Sequence, residues 1–174
     1  GKLMTLRLNP PGAFSGVRNE SLNTGGFASD VWRLIMNRGA TFCIHGIDAH
    51  GHAVRPPKAK ELPEVNWLAY GSSITNSSLD GYPHVAAQIL RAQVQNKGMS
   101  GACHLEKELV DWLVDGCKWD IATIEMGINM RGCFTPAQFE ERARYTLDRF
   151  AGTGRPVLVT NLFPNGLTPG NSLD

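Results

Sequence analysis

The chain has 174 residues, 42% of them apolar, and carries 17 Lys and Arg against 16 Asp and Glu for a net charge of +1. That is enough apolar material for an ordinary core in one domain or a small pair. The balanced charge excludes the basic footprint of a nucleic-acid binder, and no run approaches the ~18 apolar residues of a membrane span, so neither nucleic acid nor membrane is expected as a partner.

Residues 1–62 are rich in Gly, Pro and Asn and show no helical periodicity. Asp30–Met36 and Ala40–Ile47 read as strands, joined by the turn Asn37-Arg38-Gly39. Residues 1–62 are too few for a whole sandwich of about 100 residues and are expected to be the tail of a partial β-sandwich. Arg55-Pro56-Pro57 through Pro63 reads as an extended linker. The cluster His45-Gly46-Ile47-Asp48-Ala49-His50-Gly51-His52 reads as a turn, because no helical i,i+4 pair or cysteine partner supports a metal site there.

From residue 63 to 174 strands and helices alternate. The first strand spans Val65–Tyr70, and a helix follows over Tyr82–Arg91. A weak second strand covers Ala92–Asn96. The next helix is expected over Cys103–Asp115, with Leu105, Leu109, Trp112 and Leu113 on one apolar stripe and Gly116 as its left-handed stop. The third strand is Trp119–Met126. Thr135-Pro136-Ala137-Gln138 has the pattern of a capping box with proline at the first helical position. That helix would bury Phe139, Ala143, Leu147 and Phe150 and end at Gly152 and Gly154. The fourth strand is Pro156–Phe163. Continuous apolar strands separated by amphipathic helices mean an α/β fold, a parallel sheet covered on both faces.

Three strand ends carry the chemistry. The apolar run Trp67–Tyr70 stops at Gly71, and Ser72, Ser73, Ile74 and Thr75 follow. This reads as a buried strand opening into a tight turn with a hydroxyl at its tip, where ligands of α/β folds bind. Taken alone, the same residues would serve equally as a plain turn or a helix cap. Residues 96–101 (N-K-G-M-S-G) and 125–130 (E-M-G-I-N-M) again put glycine just past a strand, and the second adds Asn129. A serine, flexible backbone N–H groups and a side-chain amide are what acyl transfer needs, a nucleophile with preorganised donors for the oxyanion.

With these blocks the sequence resembles the SGNH, or GDSL-type, hydrolases, over about residues 63–165. Gly71-Ser72-Ser73-Ile74-Thr75 matches their first block and implies Ser73 as nucleophile. Met99-Ser100-Gly101 matches the second and implies the Gly101 N–H as an oxyanion donor. Gly127-Ile128-Asn129-Met130 matches the third and implies the Asn129 amide as another. The resemblance implies a three-layer, flavodoxin-like parallel sheet and no cofactor or metal. Two family aspartates are replaced, by Ser72 and Met130. A subset with G-S-S-I-T and G-I-N-M blocks, often behind an N-terminal β-sandwich, looks closest and resembles carbohydrate acyl esterases. The family's fourth block, D-x-x-H, would supply the base. None of the five histidines, His45, His50, His52, His84 and His104, has an Asp three residues before it, so the α/β domain is expected to continue beyond Asp174.

Other residues near these blocks have alternative roles. His84 and His104 are the candidates for a substitute base. His104 is expected to open a helix, whose N-terminus disfavours imidazolium, so substrate contact at the pocket rim suits it better, with Glu106 at the pocket mouth. Glu125, a carboxylate in an apolar strand, needs partners and would support the site from behind. The four cysteines, Cys43, Cys103, Cys117 and Cys133, form no C-x-x-C pair, and Cys103 and Cys117 at the two ends of one helix would lie about 20 Å apart. Reduced thiols, and with them a cytoplasmic setting, are expected.

The sequence therefore reads as a serine-dependent esterase acting on a small acyl ester, most readily an acylated carbohydrate. The alternative is a non-catalytic glycan- or ester-binding module with an esterase-like pocket. A nucleotide binder ranks below both, because no G-x-G-x-x-G follows any strand. The oligomeric state is left open.

Overall fold

A computed structural model of the chain describes residues 26–28, 30–34 and 43–160. Four strands form one parallel sheet: β1 (Asn66–Gly71), β2 (Gln93–Gly98), β3 (Ile121–Glu125) and β4 (Val157–Thr160). Their spatial order is β2-β1-β3-β4, the first four positions of the flavodoxin-type doubly wound order. The helices are α1 (Tyr82–Leu90), α2 (Lys107–Asp111) and α3 (Pro136–Ala151).

Alternation along β1 divides the core into two layers. Trp67 and Ala69 face α1 and pack with Ala87 and Ala92. Leu68 and Tyr70 face the other way, toward Val110, Leu113, Ala143 and Phe150 of the α2 and α3 layer. Ala122 and Ile124 of β3 join that second cluster, while Thr123 on the α1 side accepts the Trp67 indole N–H at 3.0 Å. The result is a three-layer α/β domain whose central strand, β1, is buried from Trp67 through Gly71.

The capping box at α3 forms as expected: Thr135 Oγ1 accepts the Gln138 N–H at 3.3 Å and Gln138 Oε1 accepts the Thr135 N–H at 2.9 Å. Such a cap is worth about 1 kcal/mol. α1 stops at Arg91, a non-glycine residue at φ 53°, where the Ala92 N–H reaches back to the Ala87 carbonyl at 2.9 Å in a Schellman-type closure.

Several expected boundaries are corrected. The helix over Cys103–Asp115 is only the five residues of α2, continued by a single wide π turn over Trp112–Gly116. Leu105 has φ 57°, a left-handed value that no helix propagates, so residues 103–106 are loop. Leu105 and Leu113 are fully buried as the stripe required, but Trp112 is 49% exposed and Val110 takes its place inside. Gly116 ends the π turn without a positive φ and lies against the Trp112 indole. In α3, Leu147 is 38% exposed and Thr146 occupies the buried position, its hydroxyl satisfied by the Arg142 carbonyl at 2.8 Å.

β2 runs later than expected, because its ladder with β1 continues through Tyr70↔Lys97 and Gly71↔Gly98. β3 and β4 are shorter than their apolar runs, and the last part of the fourth run, 161–163, lies outside the described residues. Of the two expected N-terminal strands, the described parts, 30–34 and 43–47, carry no ladder, with Trp32, Ile44 and Ile47 exposed. The hairpin turn and residues 35–42 lie outside the described residues. The 45–52 segment does turn: His50 (φ 50°) and Gly51 (φ 86°) are left-handed, and the His50 N–H bonds Asp48 Oδ1 at 2.8 Å. The linker is tied back rather than freely extended, since Arg55 clasps Glu61 through both guanidinium nitrogens at 2.8 and 2.7 Å.

Candidate active site

The carboxyl ends of β1, β2 and β3 open on one edge of the sheet, and each predicted site residue follows one of them. Ser73 lies two residues beyond Gly71, the end of β1. A helical-type turn closes around it, with the Asn76 N–H on the Ser72 carbonyl at 2.9 Å. Its flanking residues are anchored to the buried carboxylate of Glu125, the last residue of β3. Ser72 N–H reaches Glu125 Oε2 at 2.8 Å, Ser72 Oγ lies 2.8 and 2.7 Å from the two carboxylate oxygens, and Thr75 Oγ1 donates to Oε2 at 3.0 Å. Ser72 and Thr75 are fully buried and Glu125 is 3% exposed. Ser73, between them, is exposed, and its N–H and hydroxyl have no hydrogen-bond partner among the described residues.

Gly71 has a specific physical reason. A Cβ there would stand 2.2 Å from Thr75 Oγ1 and 2.7 Å from Glu125 Oε2, so only glycine lets the strand end pass under the carboxylate. Gly98, its partner on β2, is equally constrained: a Cβ would meet the Asn76 backbone nitrogen at 2.2 Å.

Beyond β2, the Ala102 N–H bonds the Met99 carbonyl at 3.2 Å, and Gly101 in the third position of this turn has φ 72°. That is the type II arrangement, which calls for glycine there. Gly101 is exposed and its N–H has no acceptor among the described residues. Beyond β3, Asn129 lies in the turn that follows Gly127 (φ 105°). Its Oδ1 accepts the Cys103 N–H at 3.2 Å.

The three loops are tied together. Met99 N–H reaches the Gly71 carbonyl at 2.7 Å, Asn76 Nδ2 reaches Ser100 Oγ at 3.0 Å, and Asn96 Nδ2 reaches the Thr75 carbonyl at 2.7 Å. Asn129 joins the β2 loop to the β3 loop, and Glu125 joins β3 to the β1 turn. Ser73, Gly101 and Asn129 thus hang from neighbouring strand ends held in register by side-chain amides and one carboxylate.

His104 and Glu106 lie farther along the β2 loop. His104 does not open a helix; it precedes α2 by three residues, so the helix-terminus argument about its imidazole falls. Its ring packs on Phe134 at 5.2 Å, its Nδ1 lies 3.5 Å from Glu106 Oε1, and its carbonyl accepts Arg142 at 2.8 Å. Glu106 lines a cleft of about 310 Å³ with Lys107, Glu108, Gln138, Glu141 and Arg142. None of these residues comes from the β1 turn, so this cleft lies between α2 and α3 rather than at Ser73. His84 sits in the first turn of α1, where burial and then the charge of Arg33 lower its pKa.

Under the β2 loop, Cys103 is 1% exposed and its Sγ lies 3.7 Å from the Glu125 carbonyl. Burial above all, with the Glu125 and Glu106 carboxylates adding, pushes its pKa up to about 11. The Tyr70 hydroxyl, buried beside it, is also held above its ordinary range by burial and then by Cys103. The clamp of Glu125 on Ser72 and Thr75 has one signal in the sequence, an acidic residue closing an apolar strand.

A doubly wound α/β domain with a serine turn at its carboxyl edge, where the backbone N–H groups of Ser73 and Gly101 have no acceptor among the described residues, is the class that fold and site define. No protein-family model matches the chain, and no curated protein matches it. Among solved structures it is similar to a provisionally assigned GDSL-like lipase from Bacteroides ovatus ATCC 8483, with a TM-score of 0.48 and 21% identity over 55% of this chain and 29% of that one. It is also similar to a provisionally assigned lipase from Chitinophaga pinensis DSM 2588, with a TM-score of 0.43 and 18% identity over 55% of this chain and 48% of that one. The match therefore spans less than half the length of either.

Proposed function

We propose that this chain carries the nucleophile and oxyanion donors of a serine-dependent acyl esterase that cleaves a small O-acyl ester, with an acylated carbohydrate as the favoured substrate class. The observation that carries the reading is the exposed Ser73 at the end of the central strand, with Gly101 and Asn129 on the loops that follow the two neighbouring strands and with no acceptor for the Ser73 or Gly101 N–H among the described residues. In this reading Ser73 Oγ attacks the ester carbonyl carbon and gives its proton to a base. The carbonyl oxygen becomes an oxyanion held by the N–H groups of Ser73 and Gly101 and by Asn129 Nδ2. Collapse expels the alcohol with that proton, and water then releases the acid from Ser73.

The Ser73→Ala protein is expected to lose p-nitrophenyl acetate hydrolysis while its circular dichroism and thermal transition stay unchanged. Full activity in that variant sinks the assignment. The second reading, a glycan- or ester-binding module without turnover, is favoured by one feature: no imidazole or carboxylate among the described residues hydrogen-bonds Ser73 Oγ. A fluorophosphonate probe separates the two, since only an activated serine is labelled.

A further inference from the structure

We infer that Glu125 is the positioning residue of this site, a buried carboxylate that sets where the Ser73 hydroxyl and N–H stand; the inference rests on Ser73 being the nucleophile. Ser73 makes no hydrogen bond of its own among the described residues, so its place is inherited from its neighbours. Ser72 and Thr75, on either side of it, are both anchored on Glu125, at distances of 2.7 to 3.0 Å. Glu125 itself cannot drift. It ends β3, which pairs with β1 on one side and β4 on the other, and its backbone carbonyl takes the Cys103 thiol.

The chain of bonds extends to α1. Thr75 Oγ1 gives its one hydrogen to Glu125, so at the 3.0 Å contact with Tyr82 the phenol is the donor. The same β3 end leads four residues later to Asn129. One strand terminus therefore sets both the nucleophile and an oxyanion donor.

Stability does not account for this arrangement. No Lys, Arg or His pairs with Glu125 among the described residues, and a buried carboxylate met only by neutral donors is a costly way to fill a core position. Gly71 is shaped around it, with no room for a Cβ beside Oε2. What the carboxylate provides is direction: it accepts from a backbone N–H and from two hydroxyls of a single turn, and so fixes that turn's orientation as an apolar side chain could not.

The test is the rate of fluorophosphonate labelling at Ser73 in the full-length protein, followed by intact mass and compared at a temperature where every variant is folded by circular dichroism. Glu125→Ala is expected to label about 100-fold more slowly, the scale of a misplacement of about 1 Å. Glu125→Gln keeps an acceptor for the Ser72 N–H and is expected to recover to within about tenfold of wild type. In ester hydrolysis the same variants lower kcat and leave KM close to wild type. If Glu125→Ala does not fold, Glu125→Gln and Ser72→Ala carry the test, each expected at about a tenfold loss. Wild-type labelling rates in the folded variants overturn the positioning role and leave the nucleophile in place. An unlabelled wild-type Ser73 removes the nucleophile, and this inference with it.

Discussion

Asn129 Oδ1 accepts the Cys103 N–H at 3.2 Å, and that bond decides which arm of the amide is free. A backbone N–H can only donate, so the oxygen must face Cys103 and the amino group is left as a donor with no acceptor among the described residues. Under the proposed mechanism that donor holds the oxyanion, and Asn129→Ala is expected to lower kcat by about 10²–10³, the usual cost of one oxyanion donor, with KM nearly unchanged because the oxyanion exists only after attack. Asn129→Asp is the sharper variant. It keeps an acceptor for Cys103 and so preserves the loop, but it removes the donor and sets a negative charge where the proposed mechanism puts the oxyanion. Steady-state kinetics on p-nitrophenyl acetate decide the matter, and an effect on KM alone would assign Asn129 to substrate binding instead.

Gly101 offers a separate test of the proposed oxyanion hole. A Cβ at this position meets nothing within 4 Å, so Gly101→Ala adds no clash; its cost is the left-handed φ of 72°. That strain is worth about 1–2 kcal/mol, and the turn is expected to relieve it by rotating the peptide that carries the Gly101 N–H. Thermal unfolding should show a modest loss of stability, and kcat should fall more than that loss explains. Wild-type kcat in the Gly101→Ala protein would deny this N–H a part in catalysis.

The layered fold and the order of the blocks were legible because they rest on strong local signals. Trp67–Tyr70 and Ile121–Glu125 are apolar runs in the middle of the sheet, and Thr135 with Gln138 spells its cap in four letters. β2 was harder to read. Gln93–Gly98 is a polar edge strand, half-buried throughout, and only its ladder with β1 extends it past Asn96. Of the stripe expected for a helix at Cys103, Leu105 and Leu113 are buried while Trp112 is half exposed, and Leu105 is buried from a loop: tertiary packing in the cluster with Tyr70 and Ile124 outweighed helical periodicity. The serine turn could be located from its motif, whereas its anchoring could not. Ser72 and Glu125 are 53 positions apart, and no local pattern links a turn to a strand end at that distance.

Cys103 gives a prediction with a sign in pH. Its thiol is raised from an ordinary 9.0 to about 11, chiefly by burial. A group whose folded pKa lies above its unfolded one stabilises the fold fully below the unfolded value and loses that contribution as pH rises through the folded one. Wild-type stability should thus hold up to about pH 9 and decline toward pH 11, and the Cys103→Ala protein should decline less over that window; urea midpoints across the range measure both. The same burial predicts selectivity toward alkylation. Cys43 and Cys133 are exposed and should react with iodoacetamide at about pH 8, while Cys103 stays protonated and unmodified until the protein unfolds. Rapid native alkylation of Cys103 would mean that the β2 loop opens on its own. The thiol's contact with the Glu125 carbonyl would then not hold that loop, and Gly101 would not be presented in a fixed direction.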